Sequence, residues 1–145
     1  MTSPAVGPSE RFQAATGGCY RVQVLVVGHQ KSWRDEAAAH VHYAGFQATV
    51  CDRGVDAMTV LALGLPVDVL IIETALQGSL CGSRLAVEAR ALRPNLRIVF
   101  VSDPIEVEDG SFADLIPDAL TVERGQLRGD QMVGTVREVL SNRFA

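Results

Sequence analysis

Lysine is nearly missing from this 145-residue chain: Lys31 is the only one, while twelve arginines are scattered along the sequence. The formal net charge is −4. Binding to a phosphate backbone needs clustered cations, and with no basic stripe a nucleic-acid surface is not expected. Cysteine is sparse too. Cys19, Cys51 and Cys81 are an odd, widely spaced set without a C-x-x-C pair. That argues against a disulfide framework or a thiolate zinc site and makes a reducing cytoplasm the expected setting. No apolar run approaches the ~18 residues of a membrane span, so no membrane is expected as partner. Residues 1–18 have neither basic leading charges nor an apolar core and do not read as a signal peptide. Their Ser, Pro, Gly and Ala content predicts a flexible tail over residues 1–20.

What is present is the material of one globular domain, residues 21–142. Hydrophobic residues make up 48% of the chain and charged residues 21%, enough at this length to bury a core. Strand-like and helix-like segments alternate. Residues 22–27 are β-branched and almost wholly apolar up to Gly28, the pattern of a parallel strand covered on both faces. Ser32 with Asp35 three residues on predicts a capped helix start, and an Ala-rich run carries that helix towards Gly45. A second strand is predicted over residues 46–51. Val55, Met58 and residues 61–63 then mark a short helix, closed by Gly64 and Pro66. The third strand is residues 67–72. Leu85, Ala86, Ala89 and Leu92 recur at helical spacing until Pro94 stops them. Residues 97–101 give a fourth strand and residues 119–122 a short fifth. Met132, Val133, Val136, Val139 and Leu140 form a last amphipathic helix. Residues 104–116 are different: Glu106, Glu108, Asp109 and Gly110 interrupt any apolar stripe, so only one or two helical turns and fast amide exchange are expected there. This alternation predicts an α/β doubly wound parallel sheet with right-handed crossovers.

In such sheets ligands and chemistry gather at the carboxyl ends of the strands. The residues there are Gly28 and His29, then Glu73, then Ser102 and Asp103, and finally Glu123. Around them, over about residues 21–141, the chain resembles the receiver domain of two-component response regulators. Ala44, Gly45 and Phe46 are similar to the family's Ala-Gly-aromatic before its second strand, and Gly54 and Ala57 match the start of its second helix. Residues 82–86 and 91–96, followed by 98–102, look like its third helix and fourth strand. The resemblance implies a flavodoxin-like (βα)5 fold with sheet order 2-1-3-4-5, and here a shortened or remodelled fourth helix.

It also implies a chemistry these residues do not supply. Active receivers hold Mg²⁺ on two acids after strand one and phosphorylate an aspartate after strand three. They use a Ser or Thr after strand four and a lysine after strand five. In this chain Gly28 and His29 stand at the acid pair, Glu73 at the acceptor and Ser102 at the hydroxyl. No lysine matches, and Val122 or Glu123 falls near its place. Mg²⁺ prefers an octahedral set of oxygens, which one glutamate and an imidazole do not make. Without metal or lysine nothing neutralises a transferring phosphoryl group. The expectation is a degenerate phosphoacceptor site with no metal, no cofactor and no catalysis.

Several residues carry two readings. Glu73 either imitates the charge of a phosphorylated aspartate and holds Ser102 inward, or is a half-exposed acid without a role. On both readings Glu73→Gln is expected to leave the fold intact. His29 is expected to meet Glu73 rather than a metal or phosphate. His40 and His42, two apart on the first helix, read as solvent-facing. Trp33 either anchors an interface or packs on the neighbouring loop. Arg124 and Arg128 lie in a glycine-rich turn, read as surface, with nucleotide binding the lesser alternative. Cys51 is expected to be buried and Cys81 loop-borne, neither reactive.

The function these readings imply is a stand-alone, atypical pseudo-receiver in bacterial two-component signalling. No room for an output domain follows residue 142, so its own surface is expected to act by phosphorylation-independent contact. The expected partner is a signalling protein such as a histidine kinase or a regulator, or a second copy in a homodimer. Phe112, Leu115, Ile116, Arg124 and Arg128 are the candidate face. The alternatives are a phosphorylatable receiver using Glu73, or a nucleotide sensor at the strand-end cleft. The latter lacks a glycine-rich loop, since residues 27–31 hold one glycine.

Overall fold

Two runs of branched apolar side chains set the centre of the sheet. In the computed structural model, which describes residues 22–102, 116–126 and 130–141, β1 (Gln23–Val27) lies between β2 (Gln47–Cys51) and β3 (Val69–Glu73). The strands β4 (Arg97–Ser102) and β5 (Leu120–Glu123) complete a parallel sheet of order β2-β1-β3-β4-β5. Its order and its flavodoxin-like architecture are those the sequence resemblance implied.

Successive side chains point to opposite faces, so each central strand feeds two cores. Leu25, Val27, Leu70, Ile72, Ile98 and Phe100 pack against α2 (Gly54–Ala62) and α3 (Gly82–Leu92). Val24, Val26, Val69, Ile71, Val99 and Val101 pack against α1 (Lys31–Tyr43) and α4 (Asp130–Ser141). The inner face of α1 is Trp33, Ala37 and Val41, one residue per turn; that of α4 is Met132, Val136 and Val139. Leu92, counted on the α3 stripe from the sequence, is about half exposed at 48% because the helix ends there.

The ends of the helices show where local signals were overruled. Gly45 and Gly64 take positive φ (97° and 80°) after α1 and α2, as the stop signals required. The Ser32–Asp35 capping box does not form. The helix begins one residue earlier, at Lys31, with Gln30 as an uncapped first position. Asp35 is drawn instead to Lys31 Nζ at 2.5 Å, an i,i+4 pair. The fifth strand is shifted by one residue from its expected place and ends in a 3₁₀ turn, Arg124–Gln126. Its approach is tied to α3 by a fork: Arg90 Nη1 and Nη2 donate to the two oxygens of Asp118 at 2.9 and 3.1 Å.

Candidate functional site

The carboxyl ends of β1, β3 and β5 converge on one carboxylate. Glu73 continues the alternation of Val69 and Ile71, so its side chain falls on the α1 and α4 side of the sheet. There it is wholly buried, at 0% exposure. This corrects the half-exposed acid expected from the sequence, and the cause is Gly28. An added Cβ at Gly28 would sit 2.5 Å from Glu73 Oε1 and 2.7 Å from Trp33 Cζ3. Absence of a side chain at residue 28 is what lets the glutamate lie inward under Trp33.

The surroundings of the carboxylate come from separate parts of the chain. Oε1 accepts a hydrogen bond from the His29 backbone N–H at 2.8 Å and lies 3.2 Å from His29 Nδ1. Oε2 faces Arg124 Nη2 at 2.5 Å, an ion-pair contact outside hydrogen-bond alignment. The same guanidinium stands over the Trp33 ring, 5.2 Å from its centroid. The loop that carries His29 is pinned on both sides. Gly28 N–H donates to the Cys51 carbonyl at 3.1 Å, and Arg34 Nη1 donates to the Gly28 carbonyl at 2.8 Å.

Arg124 is the residue that sequence reasoning assigned to an outer face, and the structure puts it into this cluster. It is not the lysine that receivers carry after the fifth strand; the signal available in the sequence was a cation directly after Glu123. Ser102, at the end of β4, is buried at 2% exposure, and its hydroxyl has no hydrogen-bond partner among the described residues. Ile116 belongs to the core on the α2 and α3 side, at 5% exposure, and cannot line an exposed face. Phe112, Leu115 and Arg128, like most of residues 104–116, lie outside the described residues.

His29, half-exposed, also lines a cavity of about 500 Å³ together with Asp52, Arg53, Ala75, Leu76 and Gln77. Cys51 is only half-buried, because β2 is an edge of the sheet; burial, then the nearby Asp56 and Asp52, raises its thiol pKa. Cys81 occupies the N-cap of α3, and the Ser83 hydroxyl beside it, at 3.5 Å, is the main cause of a lowered thiol pKa.

The Mg²⁺ of an active receiver does not fit these residues. Gly28 brings no side-chain oxygen and its carbonyl is taken by Arg34, both Glu73 oxygens already face cationic or N–H groups, and the guanidinium of Arg124 repels a second cation. Among the described residues no three His, Cys, Asp or Glu are grouped so as to hold a metal ion. Millimolar Mg²⁺ is therefore expected to leave Trp33 emission and the amide resonances around Glu73 where they are. A saturable shift of either would contradict this.

No protein-family model matches the chain, and no curated protein sequence does. Solved structures do. A response regulator receiver protein from Sinorhizobium medicae WSM419 superposes with a TM-score of 0.76 at 23% identity, over 86% of this chain and 98% of that one. A CheY-like receiver domain protein from Methanospirillum hungatei JF-1 gives 0.73 at 15% identity, over 83% and 94%. NtrX from Brucella abortus gives 0.75 at 21% identity, over 83% of this chain but only 27% of that longer one. The chain thus has the fold of the CheY-like receiver domains. Among the described residues no helix is long and apolar enough to cross a membrane.

Proposed function

We propose that this chain is a receiver-like module of two-component signalling that works through contact with another protein and takes up no phosphoryl group. The observation that carries the reading is the burial of Glu73 between Arg124 and His29. A phosphoacceptor must present an oxygen to the incoming phosphorus along a defined line, and small displacements there cost much of the rate. Here the carboxylate at the acceptor position is enclosed and already compensated. The guanidinium of Arg124, which could gather the charge that develops on a phosphoryl group, is already engaged by that carboxylate. The module then has no catalytic step of its own, and its surface carries the signal to a histidine kinase, a regulator or a second copy of the chain.

The test has two parts. Incubation with a small phosphodonor and Mg²⁺ is expected to leave the intact mass unchanged. A stable gain of one phosphoryl group on Glu73 would make the chain a conventional receiver with an unusual acceptor. Immobilised protein is expected to retain the same discrete signalling protein from native lysate with and without that treatment. Retention that depends on the phosphodonor, or no retained protein at all, would count against the proposal.

A further inference from the structure

We infer that Arg124 is a built-in latch, whose guanidinium supplies the cation over the β3 carboxylate and couples the outer strand β5 to the start of α1. The inference rests on the reading of this pocket as one that takes up no phosphoryl group, and it adds how the pocket is held. A buried carboxylate is costly unless paired and hydrogen-bonded. For Glu73 those partners come from strands on either side of β3. His29 follows β1, while Arg124 follows β5, so the guanidinium reaches past the end of β4 to meet β3.

The strand that Arg124 follows is a short edge strand. β5 has four residues, pairs on one side only, and none of its side chains is fully buried. Its entry is clamped by the Arg90–Asp118 fork and its exit by Arg124 on Glu73. The exit clamp has a second contact. The guanidinium lies over Trp33 in the first turn of α1, and Trp33 is itself 7% exposed. Withdrawing Arg124 frees the exit of β5, uncovers the Trp33 ring and leaves Glu73 without its counter-ion, all in one movement. A protein seated along the β5 edge and one seated over α1 would then sense each other through this side chain, with no phosphoryl group involved. That is the coupling free energy between two sites that allostery requires.

Amide hydrogen exchange on the native chain, Arg124→Gln and Arg124→Lys tests this, with emission of the single tryptophan as a second readout. Under conditions that keep β1 and β3 protected, Arg124→Gln is expected to speed exchange about tenfold or more in β5 and, together with it, in residues 31–34. Trp33 emission is expected to shift in the same variant, while β2 and α2 keep their native rates. Arg124→Lys keeps a charge but loses the planar fork and its stacking, and should fall between the two. If Arg124→Gln does not fold, the lysine variant decides alone: it must loosen β5 and residues 31–34 together. Faster exchange confined to β5, with α1 and Trp33 unmoved, overturns the latch. No change in either segment does so as well. A phosphoryl adduct on Glu73 is a separate mass measurement, so failure of the underlying reading is seen independently.

Discussion

Glu73→Gln is expected to lower the unfolding free energy by about 3 kcal/mol, read as a reduced urea midpoint at unchanged slope. The carboxylate uses two acceptor oxygens, one towards the His29 N–H and one towards Arg124. An amide of the same shape has one acceptor and one donor. Whichever way it turns, its NH₂ group faces either a backbone N–H or a guanidinium, and one partner is left facing a donor. The Arg124 side chain, only 22% exposed, cannot recover all its hydration without leaving the cluster. This reverses the expectation drawn from the sequence, which put the acid at a solvent-facing strand end. A stability within 0.5 kcal/mol of the native chain would mean that the buried pair merely offsets its own desolvation. If Glu73 also sets the active shape, partner retention should fall in the same variant at temperatures where it remains folded.

Gly28→Ala is expected to cost about 3 kcal/mol as well, by overpacking. Its methyl group would fall 2.5 Å from Glu73 Oε1, 2.8 Å from Glu73 Cδ and 2.7 Å from Trp33 Cζ3, all far inside van der Waals contact. Neither neighbour can step aside, since one is paired with Arg124 and the other is packed in the core of α1. The two changes should couple. Glu73→Asp withdraws the carboxylate by one methylene, so Gly28→Ala combined with Glu73→Asp should cost less than the two single changes added together. Strict additivity in thermal or urea unfolding would show that residue 28 is crowded by something other than the carboxylate. The same crowding explains why an acid at position 28 and a glutamate at position 73 exclude one another in this packing.

Most of the architecture was legible in the residues. The apolar runs of β1, β3 and β4 are long enough and β-branched enough to read as doubly covered parallel strands, and Gly45 and Gly64 marked two helix ends by the backbone conformation they permit. These are local properties, decided by side chains within a few positions of one another. Local signals were weaker where two of them competed: Ser32 offered a cap, but Asp35 had a lysine one turn away. Likewise, Ile116 looked free to meet a partner only because the core that covers it is built from segments distant in sequence.

The site divided along the same line. The chain by itself determined which residue types stand at the strand ends: a glycine and a histidine after β1, a glutamate after β3, a serine after β4, and no lysine anywhere but position 31. On chemical grounds those residue types argue against a metal-assisted phosphoryl site. Only the tertiary structure decided what the remaining groups do. The burial of Glu73 depends on empty space at Gly28, 45 positions away, and its charge is met by Arg124, a further 51 positions beyond it. Such contacts have no period and leave no mark on the neighbouring sequence. They exist because a parallel sheet brings the ends of β1, β3 and β5 to one edge, where a guanidinium can span the width of a strand.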